Sequence, residues 1–216
     1  MLPKALIAGA TGLVGNELVS VLIKNEYYDS VHVLTRRPYN FEHLKVINHI
    51  IDFERIDAFD PGAKIRDVYI CLGTTMKKAG SRENFRKVDF GYIQAIARWA
   101  KEHGVKSLGI ISSVGAAPDS RNFYLRTKGE TEQELIKLDF DHLIILRPSL
   151  LMGKRQEFRL TEKISIGGMK AIQWMLIGRL RKYRAVEARL VARILFEKTV
   201  QAAKKLIIVE RNAMHW

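Results

Sequence analysis

Residues 4–15 read KALIAGATGLVG, and this stretch decides the fold. The run Lys4–Ala8 predicts a buried strand, and Gly12–Lys24 has the spacing of a helix. Glycines between strand and helix permit a tight turn, a close approach of the backbone to a pyrophosphate, and close packing of the helix on the strand. Free N–H groups at the start of the helix favour phosphate oxygens. The stretch therefore predicts a phosphate-binding turn made of Gly9, Ala10, Thr11, Gly12, Leu13, Val14 and Gly15.

Beyond this turn, short apolar runs alternate with helical stretches, a pattern typical of parallel strands joined by crossover helices. Further strands are predicted at Val31–Thr35, Val46–Ile51, Asp67–Cys71, Ser107–Ser112, Leu143–Arg147 and Leu206–Val209. Helices are predicted from about Ser81 to Gly104, from about Arg121 to Lys137, and over Met169–Tyr183 and Ala185–Ala203. The predicted fold class is α/β, a Rossmann-type doubly wound parallel sheet. Residues 1–216 form one domain in this prediction, with 151–205 as a basic helical segment on the substrate side that forms a lid.

The composition limits the classes of protein that the chain can be. With 216 residues, 47% of them hydrophobic, the chain can bury a sizeable core and is not a disordered protein. Cys71 is its single cysteine, which excludes an intrachain disulfide and a cysteine-based zinc site. The six histidines lack the spacing of metal ligands, so no metal site is predicted. The single cysteine fits a reducing compartment, and a cytoplasmic location is expected. No apolar run approaches the roughly 18–20 residues of a membrane-spanning helix, and a leader segment is not recognisable.

The net charge of +13 is unevenly distributed along the chain. Residues 151–216 hold 15 of the 36 basic residues but only 5 of the 23 acidic ones. Such a segment can meet an anionic partner or can form a solvated basic face, and the second interpretation is favoured for most of these charges. No nucleic-acid motif accompanies the charge. The basic amphipathic stretch 170–183 favours a substrate cleft or a homodimer seam over contact with a membrane surface.

The end of the second predicted strand bears on cofactor choice. A site specific for a free ribose 2′-hydroxyl presents Asp or Glu there, whereas this chain presents Thr35, Arg36 and Arg37. Paired guanidinium groups can hold a 2′-phosphate and stack on adenine. The sequence therefore predicts NADP(H) in preference to NAD(H), although both arginines could also simply face solvent.

Tyr124 and Lys128 form a Tyr-x-x-x-Lys pair near the start of a predicted helix. Residues four apart share a helix face, and an ammonium beside a phenol lowers the tyrosine pKa from about 10. The tyrosine can then give a proton to a carbonyl oxygen or take one back. Ser112 and Ser113 end the preceding strand, at the edge where ligands bind in such sheets, and one of them can hold the substrate carbonyl. Because the two side chains point in opposite directions on an extended chain, only one of them can serve, and Ser113 is favoured.

The glycine turn, the strand-end serine and the Tyr-x-x-x-Lys pair together resemble the short-chain dehydrogenase/reductase superfamily over essentially the whole chain. Several further blocks resemble the Tat-interacting-protein branch of its atypical members. These blocks are Cys71–Thr75, Phe85–Asp89, the stretch from Ser112 and Ser113 to Tyr124, Lys128–Glu130 and Arg147–Glu157.

The resemblance implies a Rossmann domain that binds NADPH, with Tyr124 as proton donor and acceptor and with Lys128 also on the nicotinamide ribose. It places Asp52 against adenine. It implies further cofactor contacts along the adenosine and its ribose from Leu72, Gly73 and Thr74, and beside the nicotinamide from Arg147, Pro148, Ser149 and Leu150. Asp89 stands where extended members often have asparagine, so a conventional four-residue proton relay is not implied.

Two functions follow as hypotheses. The first is an NADP-dependent oxidoreductase that acts on a small carbonyl or alcohol. The second is a regulatory protein that senses NADPH and binds a protein partner with little or no turnover. The intact set of Ser113, Tyr124 and Lys128 favours chemistry, because a sensor needs no proton donor.

Overall fold

A seven-stranded parallel sheet organises residues 2–153 and 185–214, the part of the chain that the computed structural model describes. The strands are β1 (Lys4–Ala8), β2 (Ser30–Thr35), β3 (Val46–Ile50), β4 (Asp67–Ile70), β5 (Ser107–Ile111), β6 (His142–Arg147), β7 (Leu151–Met152), β8 (Val186–Glu187) and β9 (Leu206–Glu210). The order in the large sheet is β3-β2-β1-β4-β5-β6-β9. Since the strand order reverses between β1 and β4, the loops after these strands diverge and leave a crevice at the carboxyl edge. The predicted Rossmann-type doubly wound sheet is confirmed.

Helices cover both faces of the sheet. They are α1 (Leu13–Lys24), α2 (Met76–Ala79), α3 (Arg82–Arg86), α4 (Ile93–Glu102), α5 (Phe123–Lys137) and α6 (Ala188–Val200). Alternate residues of β1 point to opposite layers: Ile7 packs with Leu18 of α1 and Val191 of α6, and Leu6 packs with Ile96 of α4. Strands buried on both faces read as continuous apolar runs, which is why the sequence located them so well.

The helix predicted from Ser81 to Gly104 is not continuous. Ser81 does cap its start, since its Oγ accepts from Asn84 N at 3.1 Å, and Gly104 follows its end with a φ of +68°. A π-helical segment, Lys87–Tyr92, nevertheless separates α3 from α4. The prediction of one regular helix was wrong because the apolar period in the sequence does not register one wider turn. This turn carries the buried side chain of Asp89.

The helix predicted over Ala185–Ala203 starts later than expected. Val186 and Glu187 instead form β8, which pairs in parallel with β7 in a small second sheet. This pairing with Leu151 and Met152 overrides the helical spacing of the sequence. The helix predicted over Met169–Tyr183 lies outside the described residues, as do positions 154–184 of the predicted lid segment. Among the helices of residues 2–153 and 185–214, none is long and apolar enough to cross a membrane.

Candidate active site

The glycine turn after β1 is shaped by close approaches that exclude side chains. Gly9 has a φ of +88°, and a Cβ on it would lie 2.6 Å from the backbone carbon of Cys71. A Cβ on Gly15 would overlap the carbonyl oxygen of Gly9. Gly12 N donates to Gly9 O at 3.0 Å and closes the turn directly before α1. The two glycines at positions 9 and 15 are therefore needed for packing, and the turn leaves open space at the helix N-terminus, as a phosphate cradle requires.

A cavity of about 850 Å³ opens above this turn. Predicted cofactor residues on its wall are Gly9, Thr11, Gly12, Leu13, Arg36, Leu72, Gly73 and Thr74. Lys78 adds positive charge to the same wall, which suits a phosphorylated ligand, and Lys87 lies there with its ammonium paired to Glu54. Sequence reasoning gave neither lysine a role: Lys78 belongs to no motif, and Lys87 lies in the block Phe85–Asp89 without having been assigned to the cofactor.

Other predicted cofactor residues lie away from this wall. Ala10 is fully buried, and Gly15 packs on the turn itself. Arg37 is exposed and does not line the cavity, so of the two arginines only Arg36 does. Asp52 does not line it either; its carboxylate accepts from Glu54 N at 3.0 Å and caps the short 3-10 helix Phe53–Ala58.

A second cavity of about 590 Å³ adjoins the first, because Leu72, Gly73 and Thr74 line both. It brings together the three predicted catalytic residues, which are Ser113, Tyr124 and Lys128. Four more predicted cofactor residues lie on its wall, namely Val14, Pro148, Ser149 and Leu150. The crevice at the switch in strand order thus joins the predicted nucleotide site to the predicted acid–base pair.

Helix α5 presents the tyrosine and the lysine. It begins after Asn122, whose side chain accepts from Leu125 N at 3.2 Å. The Tyr124 ring packs on Phe85 with 5.6 Å between ring centroids. A Cβ on Gly129 would overlap the backbone carbon of Ala117, so this glycine lets the helix lie directly against the loop after β5.

The two strand-end serines have different surroundings. Ser112 is buried and its hydroxyl donates to the carboxylate of Glu132. Ser113 is half-buried, and its hydroxyl lies 3.4 Å from the carbonyl oxygen of Val114, a long and weak contact. Both line the second cavity. The hydroxyl of Ser113 is the more available of the two for a ligand.

Arg147 does not line either cavity, in contrast to the three residues that follow it. Its Nε lies 3.1 Å from Glu132 Oε1, and its Nη1 lies 2.8 Å from Glu210. Hydrogen bonds to Glu132 raise the pKa of the guanidinium, against the effect of burial. Arg147, at the end of β6, therefore links α5 and β9 through its bonds to Glu132 and Glu210.

Cys71 lies on the walls of both cavities. Burial raises the pKa of its thiol to about 12. The thiolate needed for nucleophilic chemistry is thus disfavoured, and Cys71 serves as a packing residue at the end of β4.

A parallel sheet with a glycine turn between β1 and α1, and with tyrosine and lysine beside the adjoining crevice, defines a Rossmann-type NAD(P)-binding protein. The chain belongs to the NAD dependent epimerase/dehydratase family, which matches residues 5–172. Protein FMP52, mitochondrial, from Candida albicans is 42% identical over 156 residues, 70% of this chain and 68% of that protein. Protein HTATIP2 from Rattus norvegicus is 37% identical over 157 residues, 71% of this chain and 64% of that protein. These relatives confirm the resemblance drawn from the sequence.

The names of the fungal relatives bear on location. The FMP52 proteins of Candida albicans, Debaryomyces hansenii and Scheffersomyces stipitis are all named mitochondrial. The predicted cytoplasmic location is therefore wrong. It rested on the single cysteine, Cys71, and the lack of a disulfide framework does not by itself specify a compartment.

Solved structures agree with the fold. The UDP-Glc/GlcNAc 4-epimerase of Campylobacter jejuni has a TM-score of 0.74 at 11% identity, over 98% of this chain and 81% of that one. MoeE5 in complex with UDP-glucose and NAD has a TM-score of 0.72 at 15% identity, over 98% and 79%. At these identities the likeness concerns the fold alone.

Proposed function

We propose that this chain is an NADP(H)-dependent oxidoreductase that acts on a small carbonyl or alcohol. The observation that carries the proposal is the single crevice in which the glycine turn, Arg36 and the acid–base pair of Tyr124 and Lys128 adjoin. Membership of a family described as NAD dependent supports the nucleotide part of the proposal.

The cradle at the glycine turn fits a phosphorylated dinucleotide. The close approach of Gly9 to Cys71 holds the turn tightly against the end of β4, and Gly15 lets α1 pack on the turn itself, so that the start of α1 is free for a pyrophosphate. Arg36 is the group on the wall that can hold a 2′-phosphate, with Lys78 and Lys87 on the same wall. This arrangement favours NADP(H) over NAD(H).

The chemistry divides between cofactor and protein. The reduced nicotinamide, when bound, supplies a hydride to the carbonyl carbon. Tyr124 gives its hydroxyl proton to the carbonyl oxygen, so that the oxygen becomes an alcohol. Ser113 donates a hydrogen bond to the same oxygen, and Lys128 stabilises the phenolate that remains on Tyr124. In the direction of alcohol oxidation the phenolate takes the proton back.

The proposal is tested by incubating the protein with NADPH and a panel of aldehydes and ketones, with Tyr124→Phe as control. We expect oxidation of NADPH by the wild-type protein with at least one carbonyl and loss of most of that rate in the variant. Tight NADPH binding without turnover across the panel would overturn the oxidoreductase assignment. That result would favour the sensor that binds a protein partner.

We further propose a mitochondrial location, on the strength of the names of the FMP52 relatives. Fractionation of fungal cells that express the full-length protein with a C-terminal tag tests this. Co-fractionation with a mitochondrial matrix or membrane marker is expected, and recovery only with a cytosolic marker contradicts it.

A further inference from the structure

Asp89 is a buried carboxylate that contacts both the predicted acid–base helix and the predicted cofactor loop. It is 1% exposed. Its Oδ1 lies 2.8 Å from Lys128 Nζ on α5, and its Oδ2 accepts from Thr74 N at 2.8 Å in the loop after β4. Lys128 is itself buried, with 6% of its side chain exposed. The carboxylate therefore joins two parts of the crevice that are 54 residues apart in the chain.

The chemistry of these two contacts requires an acidic side chain. Both partners are donors, an ammonium on one side and a backbone N–H on the other. A carboxylate offers two acceptor oxygens, whereas an asparagine amide offers one acceptor and one donor group. An asparagine in place of Asp89 would meet the ammonium with an N–H or would lose the bond to Thr74. This is a physical reason for an aspartate where extended members of the superfamily often have asparagine.

The backbone also holds Asp89 in place. The residue lies in the π-helical segment Lys87–Tyr92, and π-turns within helices occur frequently at functional sites. Its carbonyl oxygen accepts from the hydroxyl of Thr131, one turn along α5 from Lys128, at 2.9 Å. Main chain and side chain of Asp89 thus both bind α5, which restricts the position of the lysine.

We propose that Asp89 is a positioning residue that acts through Lys128. It fixes the ammonium beside the cofactor loop and reduces the stabilisation that this ammonium gives to the Tyr124 phenolate. The inference rests on the proposed function in taking Tyr124 and Lys128 as the acid–base pair. Because the carboxylate offsets part of the charge of the ammonium, replacing Asp89 by an uncharged residue should increase the stabilisation of the phenolate by Lys128.

The test is a titration of the Tyr124 phenol in the whole protein without substrate. Phenolate absorbance in the ultraviolet is recorded against pH for wild-type protein and for Asp89→Asn, and the curve of a matching Tyr124→Phe variant is subtracted from each. We expect Tyr124 to lose its proton at a pH lower by roughly one unit in Asp89→Asn. An unchanged or higher midpoint would overturn the proposal.

Glu132→Gln is the matched control. Glu132 is also a buried carboxylate, on α5 itself, but it accepts hydrogen bonds from Ser112 and Arg147. Its substitution should leave the Tyr124 midpoint unchanged. An equal shift in both variants would show a general effect of lost negative charge and would contradict action through Lys128.

A second variant covers the case in which Asp89→Asn does not fold. The double variant Asp89→Asn with Lys128→Met removes both charges and keeps the acceptor for Thr74. If Asp89 acts through the lysine, the double variant should fold and unfold at a higher temperature than Asp89→Asn. Failure of both to fold would overturn the proposal.

The oxidoreductase assignment and the role of Asp89 would be contradicted by different results. The titration needs neither cofactor nor turnover, so a carbonyl panel without activity removes the oxidoreductase assignment and leaves the titration result standing. Conversely, active enzyme with an unshifted phenol keeps the proposed function and removes the role of Asp89.

Discussion

The two ends of the parallel sheet hold similar side chains in different settings. At the amino end, the Tyr28 hydroxyl donates to Asp67 Oδ2 at 2.8 Å and lies 2.7 Å from the Tyr69 hydroxyl, with Arg66 paired to the same carboxylate. At the carboxyl end, Tyr124 and Lys128 accompany Asp89 on the wall of a cavity. Each end thus combines tyrosine, a carboxylate and a cation.

The difference lies in access. Tyr28, Tyr69 and Asp67 are fully buried, and burial raises the pKa of both phenols well above their ordinary value. A phenol without a path to a ligand can stabilise the fold but cannot exchange a proton with a substrate. Tyr124 is half-buried and faces the cavity. A tyrosine–carboxylate–cation set can exchange a proton with a ligand only where it opens onto a cavity.

The largest expected effect comes from removal of the Tyr124 hydroxyl. Tyr124→Phe should lower turnover roughly 10²–10⁴-fold, the usual contribution of a general acid, while NADPH affinity stays nearly unchanged. Turnover and calorimetric NADPH binding are measured on the same preparation. A rate close to that of wild type would show that the proton comes from another group.

The matching change at the amino end is Tyr28→Phe. It removes a hydrogen bond to a buried carboxylate and should lower the free energy of unfolding by roughly 1–3 kcal/mol. Turnover of the folded variant should equal that of the wild type. A large loss of turnover would contradict the division between a structural end and a chemical end.

Buried titratable groups away from the cavities should affect stability alone, and the His32–His49 pair tests this. Their rings stack, with 2.9 Å between His32 Nδ1 and His49 Nε2. Burial, then the charge of His49, lowers the pKa of His32 from 6.5 to about 4. Between these pH values His32 binds a proton in the unfolded chain but not in the folded chain. The free energy of unfolding therefore falls as the pH drops from 6.5 to 4.

The loss of unfolding free energy caused by His32 should reach up to about 3 kcal/mol, and it should be absent well above pH ~6.5. Urea unfolding at a series of pH values measures it. His32→Gln should flatten the slope, whereas His43→Gln, at an exposed histidine, should leave the slope unchanged. Equal slopes in all three proteins would remove His32 as the cause.

An effect confined to cofactor binding is expected at the cofactor end of the crevice. Arg36→Ala should weaken NADPH binding by roughly 1–3 kcal/mol and leave NADH binding nearly unchanged, because only the 2′-phosphate contact is lost. Arg37→Ala is the matched control, since this neighbour lies off the cavity wall. Calorimetric titration of both cofactors measures the preference. Equal wild-type affinity for NADPH and NADH would contradict the assignment.

The sequence determined the features that depend on close neighbours in the chain. The apolar runs located the strands of the large sheet, the glycine spacing located the turn after β1, and the spacing of Tyr124 and Lys128 placed them on one helix face. Each of these follows from backbone geometry and periodicity within a few residues.

Only the tertiary structure decided which distant groups meet. In the folded protein the hydroxyl of Ser112 bonds to Glu132, so that Ser113 is the more available serine. Arg36 lies on the cavity wall and Arg37 does not. Arg147 is bonded to two carboxylates. The tertiary structure also paired Asp89 with Lys128 through a π-turn that the apolar pattern does not reveal. The physical reason is that such contacts depend on strand order and on the rotation of each helix over the sheet, which are set by packing of the whole core and not by any local stretch of sequence.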